Sequence, residues 1–195
     1  MTKEDVLAIF RKTHALLEGH FVLTSGLHSP EYFQCAKVLQ FPEYSELLCG
    51  EIARYFSQDG VQTIIAPAVG GIVVGYEVAR QIKIRSIFAE RENGAMTLRR
   101  GFRIFDGERI VICEDVTTTG GSVNEIAGLV RSANATLVGI GCIVDRSGGV
   151  FRPDTRFVSC LQMNMVTFKP ESCPMCKEGI PVDKPGSRAL SMSKT

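Results

Sequence analysis

Apolar residues follow two rhythms along this chain. From Lys3 to Gly19, the residues Val6, Ile9, Phe10, Thr13, Leu16 and Leu17 recur at helical spacing, and Gly19 is placed to stop that helix. The run from Phe21 to Phe33 has turn chemistry at Ser25-Gly26 and Ser29-Pro30 between short extended pieces. A second helix is predicted from Pro42 to Gln58, with Leu47, Leu48, Ile52 and Phe56 on one face. Beyond it, apolar runs alternate with helical patterns. Strands are predicted at Val61–Ala66, Arg85–Glu90, Arg109–Asp115, Ala135–Asp145 and Phe157–Met163, and helices at Ile72–Ile82 and Ser122–Asn134. Such alternation implies right-handed crossovers and a parallel sheet, and near-continuous Val/Ile runs suit strands covered on both faces. The expected class is α/β, a central parallel sheet flanked by helices.

Composition narrows the setting. The 195 residues suit a single domain spanning 1–195. The polar tail after Lys184 has no periodicity and is expected to fray. A formal charge of +1 gives no global field for nucleic acid or an acidic membrane, so anion binding must be local. No stretch approaches the roughly 18 apolar residues of a membrane helix, and the mixed charges of the amino terminus do not suit a signal peptide. Seven cysteines, five of them scattered, fit buried cytosolic thiols better than disulfides. A cytoplasmic protein without nucleic-acid or membrane partners is expected.

In an open parallel sheet, ligands bind beyond the carboxyl ends of the strands. Three unusual loops leave strands at that edge. The first, Glu114-Asp115-Val116-Thr117-Thr118-Thr119-Gly120-Gly121-Ser122, opens a helix. Backbone N–H groups at a helix start seat an anion, glycines permit close approach, and hydroxyls add donors. Two carboxylates beside an anion seat would repel it unless ribose hydroxyls or Mg²⁺ used them. The pattern is neither a Walker loop nor a Gly-x-Gly-x-x-Gly dinucleotide loop. The second loop, Pro67-Ala68-Val69-Gly70-Gly71, offers a glycine pair to a diphosphate, although strand–helix turns also use glycine for packing. The third, Arg91 to Gly101, is a charged stretch suited to a lid; without its neighbours it would read as a solvated hairpin.

The run from Val111 to Ser122 resembles the phosphoribosyl diphosphate signature of type I phosphoribosyltransferases, and Phe21 to Phe33 is similar to the hood segment of their orotate-specific members. The resemblance extends from Gly19 to Arg146. It implies the type I phosphoribosyltransferase-like fold, with residues 1 to about 40 contributing a small hood and with a mobile loop. It also implies transfer of ribose 5-phosphate from 5-phosphoribosyl 1-diphosphate to orotate, giving orotidine 5′-phosphate and diphosphate, a step of pyrimidine biosynthesis. On that basis Val69, Gly70, Gly71, Arg91 and Glu114 through Ser122 bind phosphoribosyl diphosphate. Tyr32, Phe33, Thr118 and Arg146 bind orotate: the aromatic pair offers a stacking face and Arg146 a planar fork for a carboxylate or ring carbonyl. The ligand being an anion already, no strong general base is required, and catalysis is expected to be electrostatic. Its groups would be Asp115, Glu114 and the loop cations Arg91, Arg99 and Arg100. Mg²⁺ would be held through diphosphate and ribose near Asp115. A homodimer that exchanges the loop between active sites is implied too.

The sequence departs from the family in its cations. Thr24 and Gly70 stand where known members carry lysines, and Gly94 and Met96 fall where loop cations are expected, leaving Arg99 and Arg100 as substitutes. Two other functions compete. A purine or uracil acceptor would not need Arg146, and a regulatory sensor of phosphoribosyl diphosphate would need a helix-turn-helix or a basic face. His14, His20 and His28 suggest no metal cluster and are expected on helix or loop surface, His28 being the nearest to the site. Cys173-Pro-Met-Cys176 is a lone Cys-x-x-Cys in a proline-rich stretch. Zinc there would need further ligands, for instance from a second chain, so a plain loop is expected.

Overall fold

The structure, a computed structural model, describes residues 1–23, 25–164 and 166–185. Thr24 and most of the expected frayed tail, residues 186–195, lie outside them. The described elements are α1 (Lys3–Lys12), β1 (Leu16–Val22), β2 (His28–Phe33), α2 (Cys35–Leu39), α3 (Pro42–Phe56), β3 (Thr63–Pro67) and α4 (Gly70–Ile82). They continue with β4 (Arg85–Glu92), β5 (Ala95–Leu98), β6 (Arg109–Thr117), α5 (Gly121–Ser132), β7 (Thr136–Asp145), β8 (Arg156–Gln162) and α6 (Pro174–Lys177).

The main sheet has the order β5-β4-β3-β6-β7-β8. Every pairing in it is parallel except β4 with β5. Alternation along the strands divides the core in two. Ile64, Val111, Cys113 and Ile143 face α3 and α4, against Leu48, Ile52, Phe56, Val74 and Val78. Their neighbours Ile65, Ile110, Ile112 and Ile140 face α5, against Val123, Ile126 and Val130. Each of these large side chains contributes about 1.5–3 kcal/mol by leaving water. The sheet is thus covered on both sides, as the Val/Ile runs predict.

A separate two-stranded sheet, β1 with β2, forms the hood. Here the helix expected to reach Gly19 is corrected. A capping box at Thr2 and Asp5 starts α1, but the helix ends at Lys12, with His14 in the left-handed region and Ala15 N–H bonded back to Phe10 O. Leu16 and Leu17, which fit the helical spacing, pair instead with Phe33 and Tyr32. Gly19 lies within β1 and stops nothing. The ladder to β2 outcompetes continued helix because it lets this face pack on Phe10, whose ring meets Phe33 edge-on at 5.4 Å.

Two histidines also depart from expectation. His14 is exposed, but His20 and His28 are buried at 3% and 8% exposure, on β1 and β2, against Cys173 and Cys176. The charged stretch from Arg91 to Gly101 is a hairpin in this conformation. β4 and β5 are joined by Asn93-Gly94, both at positive φ, the backbone a tight two-residue turn demands.

Candidate active site

The carboxyl ends of β3, β6 and β7 meet at one edge of the sheet, where Thr117 pairs with Asp145 and the Arg146 N–H donates to Thr117 O at 2.8 Å. Register alone therefore carries the end of the Glu114–Ser122 run to Arg146. Asp145 is buried and braces the turn: its Oδ1 accepts from Ser147 N–H at 2.8 Å, and Gln162 donates to its Oδ2 at 3.3 Å.

Gly120 begins α5 with φ of 74° and supplies no side-chain cap. A Cβ there would lie 2.1 Å from Phe151 Cδ2, so both the backbone angle and the space require glycine. The first N–H groups of α5 consequently have no intrahelical acceptor and no side-chain cap. Thr118 and Thr119 stand exposed before them, with Gly121 and Ser122 in the first turn. An anion fits this arrangement directly.

The glycine loop packs against the two acids. A Cβ on Gly70 would fall 2.1 Å from Asp115 Oδ2, and one on Gly71 would fall 3.1 Å from Glu114 Oε1. α4 starts here, again without a side-chain cap, and Val69 is exposed beside it. The Ala68–Val69 peptide is cis. Asp115 accepts from Val116 N–H at 2.9 Å, and Glu114 accepts from Asp115 N–H at 3.1 Å. Burial, reinforced by the neighbouring Asp115, holds the Glu114 carboxyl well above the usual carboxylate range.

A cavity of about 740 Å³ joins these parts. Asp115, Val116, Thr118 and Thr119 line one side, Arg146, Ser147 and Val150 another, and the hood closes it with Leu23, Leu27 and Tyr32. The Arg146 guanidinium carbon lies 5.6 Å from the Tyr32 ring centroid. Arg146 Nε is buried, with no hydrogen-bond partner among the described residues. Burial lowers the proton affinity of Arg146 and raises that of the Tyr32 hydroxyl. A partly buried guanidinium above an aromatic ring at a cavity wall, its Nε without an acceptor among the described residues, is suited to a flat anionic ligand.

Tyr32 and Phe33 part company. Both border the cavity, but the Phe33 ring is 2% exposed and belongs to the core with Phe10. Successive strand residues point to opposite faces, which leaves Tyr32 as the ring available to a ligand. Cys35 and Thr167 also border the cavity, and the Cys35 thiol approaches Asp115 O at 3.8 Å. Neither residue stands out in the sequence; a buried cysteine and a threonine in a polar stretch carry no pattern.

Arg91, Arg99 and Arg100 do not join the cavity lining in this conformation. Arg91 pairs with Glu125 of α5 at 2.8 Å, Arg99 with Glu92 at 3.4 Å, and Arg100 with Glu90 at 2.8 Å. The hairpin is also tied to α5 by Met96 N–H donating to Glu125 at 2.8 Å.

Residues 45–174 match the family model described as the phosphoribosyl transferase domain. The chain is 56% identical over 190 residues to an orotate phosphoribosyltransferase of Pelotomaculum thermopropionicum, covering 97% of this chain and 100% of that protein. It is 55% identical to the orotate phosphoribosyltransferase of Chlorobium phaeobacteroides, covering 97% of this chain and 98% of the relative. Among solved structures, the orotate phosphoribosyltransferase of Aeropyrum pernix superposes with a TM-score of 0.71 at 24% identity, over 81% of this chain and 93% of that one, a likeness of fold. The chain belongs to the phosphoribosyltransferase family, on its orotate phosphoribosyltransferase branch.

Proposed function

We propose that the cavity beneath the hood is the site of orotate phosphoribosyl transfer, with the α5 start as its phosphate seat and Arg146 over Tyr32 as its base seat. The reaction follows from the family: ribose 5-phosphate passes from 5-phosphoribosyl 1-diphosphate to orotate, giving orotidine 5′-phosphate and diphosphate in pyrimidine biosynthesis. The observation that carries the site assignment is the sharing of one cavity by Asp115, Thr118, Thr119, Tyr32 and Arg146.

Amides of α5 and the hydroxyls of Thr118, Thr119 and Ser122 hold the 5-phosphate; Thr117, expected in the same seat, is buried at 2% exposure at the end of β6 and its hydroxyl does not reach the cavity. Val69, Gly70 and Gly71 present backbone to the diphosphate. The orotate ring lies along Tyr32, and Arg146 receives its carboxylate or a ring carbonyl. As the anomeric C–O bond breaks and the C–N bond forms, positive charge develops on the sugar and negative charge on the diphosphate. Asp115 faces the ribose and stabilises the former, while Glu114, buried behind the cavity wall, accepts from the Asp115 N–H and positions that residue. Arg91, Arg99 and Arg100 reach the latter after leaving their present carboxylate partners, which requires the hairpin to move.

Asp115 offers hard carboxylate oxygen at the cavity, the donor Mg²⁺ takes, with substrate oxygens completing its shell. When bound, Mg²⁺ would neutralise charge on the departing diphosphate.

The homodimer belongs to the same proposal. Leu47, Val73 and Tyr76 are exposed on α3 and α4, and a groove there sets Leu39, Pro42, Val73 and Tyr76 among charged side chains including Glu43, Glu46, Glu77 and Arg80. Exposed Leu47, Val73 and Tyr76, mixed with these charges on the α4 flank of the site, suit a second copy whose hairpin is exchanged into it. A cytoplasmic setting is supported by seven free thiols. Among the described residues, no helix is long and apolar enough to cross a membrane. Consumption of orotate by the purified protein, with phosphoribosyl diphosphate and Mg²⁺ supplied, tests the reaction and its metal requirement together.

A further inference from the structure

On the hood, away from the cavity, four metal-ligating side chains converge. One ligand atom each from His20, His28, Cys173 and Cys176 fits within a span of 4.8 Å. His20 Nε2 lies 3.6 Å from Cys173 Sγ and 3.7 Å from Cys176 Sγ; His28 Nδ1 lies 3.3 Å from Cys176 Sγ and 2.8 Å from His20 Nε2. Zinc–sulfur bonds of about 2.3 Å and zinc–nitrogen bonds of about 2.0–2.1 Å make a tetrahedron with N···S edges of about 3.6 Å and an N···N edge of about 3.3 Å. The two separations from His20 Nε2 to sulfur match that edge, the His28 Nδ1 to Cys176 Sγ separation is about 0.3 Å short, and the N···N separation is about half an ångström short, the change expected when two imidazoles that share a proton take a cation between them.

The surroundings are those of a built site. His20, His28 and Cys173 are buried. The other ring nitrogen of His20, Nδ1, lies 2.7 Å from Ile180 O. A proton held on Nδ1 by that carbonyl leaves the Nε2 lone pair directed at the cluster, the outer-shell arrangement that orients metal-ligating histidines. Both cysteines are free thiols. A set of two thiols and two imidazoles, once deprotonated at sulfur, selects zinc over harder cations.

We propose that His20, His28, Cys173 and Cys176 bind a structural Zn²⁺ that clamps the carboxyl-terminal segment onto the hood. The clamp has a physical task. β1 and β2 form an isolated two-stranded sheet, a unit with marginal stability of its own. Among the described residues, the segment beyond β8 pairs with it through two single bridges, His28 with Phe168 and Phe21 with Asp183, and α6 is four residues long. Four ligands from both sides join what these few hydrogen bonds hold weakly. Thr167, next to Phe168, and Tyr32, on the strand of His28, border the orotate cavity, so the clamp sets the position of that wall. None of the four ligands lines the cavity, and the site stands whether or not the orotate assignment does.

The test is metal analysis of the protein purified without chelator, with mass spectrometry of its thiols. About one zinc per chain is expected, lost in Cys173→Ser/Cys176→Ser. Chelation of the wild type should lower its melting temperature, and added Zn²⁺ should restore it. Replacement by Co²⁺ should give the visible bands of tetrahedral thiolate ligation. Absence of metal from the wild type after growth with zinc, with no change in melting temperature on adding Zn²⁺, would overturn the site. So would a Cys173–Cys176 disulfide in the freshly isolated protein, or full zinc retention by the double variant. Because the wild-type chelation and cobalt measurements need no variant, misfolding of the serine protein cannot decide the matter.

Discussion

Arg146, at the end of β7, places its guanidinium carbon 5.6 Å from the ring centroid of Tyr32 in the hood, with its Nε buried and unpartnered among the described residues. A desolvated cation without an acceptor is costly, and an anionic ligand offsets that cost. Arg146→Ala is predicted to raise KM for orotate at least tenfold, about 1.4 kcal/mol of binding, while KM for phosphoribosyl diphosphate moves little. Arg146→Lys should recover only part of the loss, since an ammonium cannot make the planar two-pronged contact. Initial rates with each substrate varied in turn separate these outcomes; equal loss for both substrates would place Arg146 elsewhere in the mechanism.

Tyr32→Ala should weaken orotate binding, whereas Phe33→Ala should act mainly on stability, by about 3–5 kcal/mol as for other buried aromatic truncations. Melting curves beside orotate titrations distinguish the two. The sequence presents these residues as an aromatic pair. The period of a strand already separates them, but the helical spacing that continues to Leu17 hides the hood strands that make that period relevant.

Gly70→Ala puts a methyl where Asp115 Oδ2 now sits, 2.1 Å away. The carboxylate must swing aside, so Gly70→Ala should match Asp115→Asn in lowering kcat/KM more than tenfold, with a near-normal melting temperature. A fully active Gly70→Ala protein would show that Asp115 has no fixed catalytic position.

Burial, reinforced by the neighbouring Asp115, raises the proton affinity of Glu114 on folding. A carboxyl raised in this way contributes its full stability below the ordinary carboxylate range and loses it as pH climbs through the folded value. Glu114→Gln should therefore be more stable than wild type above about pH 5, with the gap closing near pH 4. A gain of about 1 kcal/mol would raise the melting temperature by about 2–4 °C for a chain of this size. Melting temperature followed across that pH range checks the sign.

Arg91, Arg99 and Arg100 each hold a carboxylate in the present conformation, with Glu125, Glu92 and Glu90. Exposed pairs of this kind contribute little to stability, so each alanine variant should melt within a degree or two of wild type. The residue that reaches the diphosphate should show itself as a fall in kcat of more than tenfold, and single-turnover rates of the three variants identify it.

Much of this architecture is legible in the chain. Ile64/Ile65 and Val111/Ile112 alternate across a sheet covered on both faces, and the glycine-rich helix start after β6 announces an anion seat. Asn93-Gly94 signals the β4–β5 turn, but the density of charge around it suggests a loop instead. The end of α1 is hidden because Leu16 and Leu17 satisfy helical spacing and strand pairing alike. The histidine–cysteine cluster is invisible for a different reason: its ligands come from opposite ends of the chain and meet only after the carboxyl-terminal segment returns to the hood.

The central claim, that the cavity shared by Asp115 and Arg146 performs orotate phosphoribosyl transfer, is tested most directly by following orotate absorbance with phosphoribosyl diphosphate and Mg²⁺ present. Wild-type protein should consume orotate and form diphosphate in equal amounts, with Asp115→Asn and Arg146→Ala each slower by more than tenfold. Turnover of adenine or uracil in place of orotate, or wild-type rates in both variants, would contradict it.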